Sequence, residues 1–102
     1  MYKLIITELA DNDLDGIINY ISVDLSNTAA ATDFLKEVIK CYEYLKKNPR
    51  IFSVSDDRRL AKEGYRKALI KNYVLAFKID ENTKTVTVYR FLYAARNYFK
   101  YL

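Results

Sequence analysis

The side chains that could do chemistry crowd into residues 58–102. They include Arg66, Lys67, Lys71, Arg90 and Arg96, interleaved with Tyr65, Tyr73, Tyr89, Tyr93, Tyr98 and Tyr101. Arginine and lysine pair with phosphate oxygens, and arginine can grip two at once. Tyrosine rings stack on bases turned out of a helix. The set suits a nucleic-acid surface, and it equally suits a docking surface for an acidic protein. Cutting RNA would ask more of it. One group must take the 2′-hydroxyl proton, cations must hold the phosphorane charge, and a donor must reach the leaving oxygen. The chain has no histidine, so a Lys or Tyr of lowered pKa would take that proton. The ten tyrosines also have a plainer use, as half-buried sheet residues with a hydroxyl at the rim.

Other chemistries are excluded by what is missing. A single cysteine, Cys41, allows no internal disulfide, and with no histidine it allows no all-protein zinc site. Cys41 is expected to be a small buried hydrophobe. There is no P-loop, no Gly-rich dinucleotide turn and no acyl-transfer triad. No cofactor, metal or membrane partner is implied. No apolar run approaches the roughly 20 residues that span a bilayer. The N-terminal apolar stretch is too short for a secretory signal. The expected compartment is the cytoplasm. Asp11, Asp13 and Asp15 are expected on the solvent side of the first helix, as helix-start charge.

Net charge is +4, but the halves oppose each other. Residues 1–57 carry six Lys/Arg against ten acids, and residues 58–102 carry eleven against three. A segregated basic half attracts phosphate backbones or an acidic partner.

The elements that must position these groups are legible from period and punctuation. With 102 residues, 51% of them hydrophobic, the chain is one domain, 1–102, with enough apolar surface for a core. Residues 2–7 read as a strand. Thr7 is a plausible N-cap for a helix carrying Leu14, Ile17, Ile18, Ile21 and Leu25 on one stripe. Ser26-Asn27 breaks it and caps a second helix, with Ala31, Phe34, Leu35, Val38, Ile39, Tyr42 and Leu45 at helical spacing. Pro49 ends that helix. Residues 50–63 read as a loop with a helical turn at 59–62. Strands follow at 65–70, 73–80 and 84–93, joined by turns at Lys71-Asn72 and 80–83. Along 73–80, Tyr73, Leu75, Phe77 and Ile79 alternate with Val74, Ala76, Lys78 and Asp80, which predicts one dry face and one more open face. The order β-α-α-β-β-β gives an α+β fold, an antiparallel helix hairpin on one face of a small, mostly antiparallel sheet.

Residues across the chain resemble the RelE/ParE toxin superfamily. Gly64-Tyr65-Arg66-Lys67, Asn72-Tyr73 with Phe77 and Ile79-Asp80, and Val86, Val88, Arg90, Tyr93 and Arg96 are similar to its C-terminal sheet. Leu14, Ile17 and Tyr20, the Ala-rich start of the second helix, and Leu45 with Asn48-Pro49 resemble the ParE branch in particular. The resemblance implies a small cytoplasmic bacterial toxin of a type II, plasmid-stabilisation module, neutralised by a cognate antitoxin. It implies one of two targets: DNA gyrase, poisoned by ParE-like proteins without nuclease activity, or mRNA in the ribosome, cut by RelE-like endoribonucleases.

Against the nuclease pattern the chain matches in part. Two alternate basic positions of the first C-terminal strand fall on Arg66 and on Ala68, and an arginine of the next strand falls on Val74. A later arginine and a tail tyrosine fall on Arg96 and on Tyr98 or Tyr101. If the chain is a nuclease, its catalytic set is therefore Arg66, Arg96, Tyr98 and Tyr101. Losing one charge-stabilising group costs roughly a hundredfold in rate, so Ala68 and Val74 favour the ParE-like reading. In that reading the target-binding set is Arg66, Lys67, Lys71, Arg90, Tyr93 and Arg96, with gyrase as target. An mRNA interferase is the alternative, and a non-toxic RNA-binding module is a third.

Overall fold

A computed structural model describes residues 1–102. The sheet has five strands in the order β1-β5-β4-β3-β2. They are β1 (Lys3–Ile6), β2 (Ser53–Val54), β3 (Arg66–Ile70), β4 (Tyr73–Asp80) and β5 (Thr85–Tyr93). β1 runs parallel to β5, and the other three pairings are antiparallel. Two helices, α1 (Glu8–Asn19) and α2 (Thr28–Lys47), cover one face. The expected α+β architecture is therefore the observed one. One strand was not anticipated: the two-residue β2, which residues this few cannot announce by alternation.

Local chemistry sets the helix ends. Thr7 Oγ1 accepts from the amide of Ala10 at 3.1 Å, and Asn27 Oδ1 accepts from the amide of Ala30 at 3.0 Å. Both side chains satisfy N–H groups that have no partner inside the helix. α2 stops at Lys47, before Pro49. Its buried stripe is Ala31, Phe34, Val38, Cys41 and Leu45, spaced three and four apart. These residues meet Ala68, Ile70, Leu75, Phe77, Val86, Val88 and Phe91 of the sheet in one core. Cys41 is the buried hydrophobe expected of it.

The first helix departs from the expected stripe. Past Asn19 it widens into a π-helical turn over Tyr20–Asp24, where the Leu25 amide reaches back to the Tyr20 carbonyl at 3.0 Å. The extra residue per turn rotates the chain off the α-helical period. Ile21 stays half-buried, whereas Leu25, expected on the apolar stripe, is 54% exposed.

A short helix, α3 (Arg58–Lys62), fills the anticipated turn, capped by Asp57 Oδ1 on the Leu60 amide at 2.9 Å. Its exit fixes where β3 begins. The Gly64 amide bonds the Ala61 carbonyl and the Tyr65 amide bonds the Leu60 carbonyl, with Gly64 at φ +91°. That paired closure needs a left-handed residue, which glycine supplies without a Cβ penalty.

Alternation along β4 predicted a more open second face, but that face is covered. Val74 and Ala76 are as buried as their neighbours. The chain after β5 turns back across this face and ends in a 3₁₀ turn, Tyr98–Tyr101. Tyr98 packs on Val74 and Leu92, while Phe99 and Leu102 pack towards Leu60, Tyr65 and Ala76. Arg59 of α3 donates to the Phe99 carbonyl at 2.8 Å and the Leu102 carbonyl at 3.4 Å, which ties the tail down. No helix of the chain is long and apolar enough to cross a membrane.

Candidate functional site

Alternation in β3 decides which basic residues reach which face. Tyr65 packs with Leu60 and Ala76 under the tail, so Lys67 and the 71%-exposed Leu69 share that side. Arg66 falls on the opposite side, in step with Ala68 and Ile70 of the helix-facing core. There it donates to the Phe52 carbonyl at 2.7 Å and lines a groove with Arg50, Val54 and Ile79. The nuclease set is divided: Arg96, Tyr98 and Tyr101 line one groove, whereas Arg66 lines another on the opposite side of β3.

The remaining candidates do converge, and Arg96 is their hub. It lines a groove with Lys71 and Tyr93, a second with Arg90, Tyr93, Tyr98 and Tyr101, and a third with Lys67 and Tyr98. Its guanidinium is exposed and has no ion-pair or hydrogen-bond partner. Lys71 is likewise exposed and unpaired, carried on the β3–β4 turn at φ +54°.

The other candidate cations are engaged. Lys67 pairs with Asp56. Arg90 donates Nε and Nη2 to the two oxygens of Asp13, at 2.7 and 3.0 Å. These hydrogen bonds, against some desolvation, push the Arg90 guanidinium above its ordinary value. Asp13 was expected on the solvent side of α1; it instead accepts from Arg90 and from the Phe91 amide at 3.0 Å. Arg90 stands beside a bulge, since Ala76 pairs with Arg90 while Phe77 pairs with Val88, leaving Tyr89 over. A bulge re-aims the side chains next to it.

The tyrosines sort by burial. Tyr98 of the tail is 9% exposed against the sheet, and burial first of all pushes its hydroxyl above the ordinary tyrosine range. Tyr65 and Tyr73 are shifted the same way, again mainly by burial. A phenol in these places gives up its proton less readily, which opposes a role as base. Tyr93 is 44% exposed and stacks edge-on to Tyr73 at 5.6 Å. Tyr101 is 46% exposed. Ala68, at 2% exposure, and Val74, at 4%, are core positions, so neither leaves room for a cation. No group of carboxylate and thiol side chains is arranged to hold a metal.

The model of the ParE toxin of type II toxin–antitoxin systems, parDE, matches residues 4–98. The chain belongs to this family. Among curated proteins none matches the sequence. Solved structures share the fold, two of them as follows. A chain of the chromosomal ParDE system from P. aeruginosa superposes with a TM-score of 0.71 at 18% identity, over 91% of this chain and 96% of that one. A chain of the toxin–antitoxin complex RelBE2 from Mycobacterium tuberculosis superposes with a TM-score of 0.60 at 25% identity, over 90% and 96%. This ParE-family toxin thus keeps the fold of its relatives while only 18–25% of aligned residues are shared.

Two long-range contacts escaped the sequence reading. Asp13 is 77 positions from Arg90, and Arg59 is 40 from Phe99, so no local spacing announces either contact.

Proposed function

We propose that this ParE-family chain arrests bacterial growth by binding DNA gyrase in the cytoplasm, and that a cognate antitoxin relieves the arrest. The observation that carries the choice of target is the placement of the cations. A phosphoryl-transfer site needs several charged groups aimed at one phosphate. Here Arg90 and Lys67 are held by Asp13 and Asp56, and Arg66 stands on the far side of β3. The sheet face between them is roofed by Tyr98, Phe99 and Leu102. Arg96, Lys71 and Tyr93 remain as an exposed basic and aromatic patch, suited to holding a macromolecule rather than cleaving it. The antitoxin assignment rests on family membership and on the toxin–antitoxin complexes that share the fold.

A ribosome-dependent mRNA endoribonuclease is the second reading. The groove that Lys67, Arg96 and Tyr98 share favours it, because it brings two cations and a phenol together. A paired assay on purified protein separates the two. One arm follows gyrase supercoiling and double-strand breaks trapped in plasmid DNA, and the other follows mRNA cleavage on programmed ribosomes. Gyrase inhibition without cleavage is the expected result. Cleavage without gyrase inhibition would make the chain an interferase.

A further inference from the structure

We propose that the groove beside α3, β2 and β3 is a phosphate site that grips the backbone of a nucleic-acid duplex without cutting it. The inference goes beyond the gyrase reading and does not depend on it, because this groove lies on the other side of β3 from the one that Lys67 and Arg96 share. Two cations line it, Arg50 and Arg66, and the other walls are Val54, Ala61, Gly64 and Ile79. No carboxylate is among them.

Arg66 is the anchor. It is half-buried and belongs to no ion pair. One of its N–H groups goes to the Phe52 carbonyl at 2.7 Å, which fixes the guanidinium and leaves the others without an acceptor. A cation drawn partly out of water with no counter-charge is costly, and an anion in the groove offsets that cost. Arg50 is held only loosely, by Glu81 at 3.6 Å. That same carboxylate takes the Tyr2 hydroxyl at 2.6 Å and pairs with Lys84 at 3.5 Å. The acids around α3 are occupied as well: Asp56 pairs with Lys67, Asp57 caps the helix and Glu63 pairs with Arg59.

Size and lining select the ligand. The groove holds about 260 Å³. Drug-sized ligands fill clefts of about 300–1,000 Å³, so this one suits a single small group. Two arginines with no acid between them match a phosphate, which can turn an oxygen to each. No aromatic ring lines the groove, so it offers an unpaired base nothing to stack on, and a single strand fits less well than a duplex. Nothing in the lining can take or give a proton near neutral pH, so a phosphate held here is not cleaved. The charge continues along α3. Arg58 stands three positions before Ala61 and shares its face, and Lys62 follows Arg58 one turn later. Both are exposed and free of ion pairs. Such a row tracks successive backbone phosphates irrespective of sequence.

The test uses the full chain and a fluorescent 20-base-pair DNA duplex of arbitrary sequence, followed by anisotropy across a salt series. Arg66→Gln keeps a donor for the Phe52 carbonyl but removes the charge. It should weaken binding about tenfold and lower the slope of log affinity against log salt by about 0.9, one phosphate contact. Arg50→Gln should act the same way, and Glu81→Gln, which frees Arg50, should tighten binding. Lys40→Gln, on the exposed face of α2, removes an equal charge elsewhere and should change little. Circular dichroism and the thermal midpoint check that each variant is folded. If Arg66→Gln does not fold, Arg50→Gln and Glu81→Gln carry the test between them. A matching RNA duplex identifies the source, and binding of either duplex that falls with Arg66→Gln supports the proposal. Failure to bind any duplex, equal losses in Arg66→Gln and Lys40→Gln, or tighter binding of a single strand than of the duplex would overturn it. So would displacement of the duplex by poly-glutamate at equal charge concentration, which would make the groove a carboxylate site.

Discussion

Asp13 on α1 holds Arg90 on β5 in a two-pronged ion pair, at 2.7 and 3.0 Å, and also takes the Phe91 amide. Side-chain exposures of 17% and 22% keep both partners mostly out of water. One carboxylate thereby pins the first helix to the bulged strand. Asp13→Ala would leave a half-buried guanidinium and a backbone N–H without partners. Removing one member of such a pair costs about 3 kcal/mol, so urea unfolding should show a loss of that order. Asp13→Asn keeps one acceptor and should lose less. An unchanged midpoint in Asp13→Ala would mean that the pair contributes nothing to stability.

Arg66 and Arg96 should separate cleanly. Arg66 bonds the Phe52 carbonyl at 2.7 Å, so Arg66→Ala should cost about 1 kcal/mol of stability and leave growth arrest largely intact. Arg96 touches no partner and is exposed. Arg96→Ala should therefore leave the thermal midpoint unchanged and abolish arrest. Growth assays beside thermal melts of both variants decide the matter, and arrest that survives Arg96→Ala would move the target site away from this patch.

The tail should behave as a strap. Arg59→Ala removes the bonds to Phe99 and Leu102 and the exposed pair with Glu63. The loss of stability should be about 1 kcal/mol, but amide exchange should rise selectively at residues 98–102. Tyr98→Ala empties a buried aromatic site and should cost about 3 kcal/mol. Uniform exchange across β4 and the tail in Arg59→Ala would show that the two open as one unit.

Restoring cations at the two positions where the nuclease pattern has them should not create a nuclease. Ala68 faces the helix-side core and Val74 lies beneath Tyr98. A charge buried at either place without a partner costs several kcal/mol, about 3 or more. Ala68→Arg should yield unfolded chain, and Val74→Arg should displace the tail and lower the midpoint. Ribosome-dependent cleavage gained by folded Val74→Arg would contradict this account of the sheet.

Alkaline pH should destabilise the chain. Burial pushes the Cys41 thiol up to about 12 from an ordinary 9.0, and the Tyr42 hydroxyl up to about 12 from 10.0. Both raised values mean that the folded state keeps protons that the unfolded chain releases. Their contribution is fully present below pH 9 and is lost as pH rises towards 12. Each such proton gives a slope of about 1.4 kcal/mol per pH unit. Urea midpoints should be flat to pH 9 with respect to these groups and fall beyond it, less steeply in Cys41→Val. The native thiol should also react slowly with a disulfide reagent at pH 8. Fast reaction would show that α2 opens readily.

Much of this protein was written locally. The caps at Thr7 and Asn27, the stop before Pro49, the turn at Lys71-Asn72 and the glycine at 64 each depend on residues within a few positions. The core stripe of α2 and the alternation of β4 follow from periods of 3.6 and 2. From these come the α+β architecture and the order of its elements, and the same pattern carries family membership across residues 4–98.

Contacts between distant segments belong to the tertiary structure alone. Alternation divides β3 into two sets, but only packing assigns Lys67 to one face and Arg66 to the other. The fate of the second face depended on a tail whose composition is basic and aromatic, and which turns out to be roof as much as reagent. Asp13 read as helix-start charge because nothing near it in sequence needs a carboxylate; its partner arrives 77 residues later. The π-turn at Tyr20–Asp24 left no mark in the apolar spacing, yet it turns Leu25 outward and shapes the groove that Lys71 and Arg96 line. Local propensities decide what each segment becomes, and desolvation decides which charges stay free once the segments meet. That is why the basic half could be listed from the sequence, while the isolation of Arg96 and Lys71 from any partner required the fold.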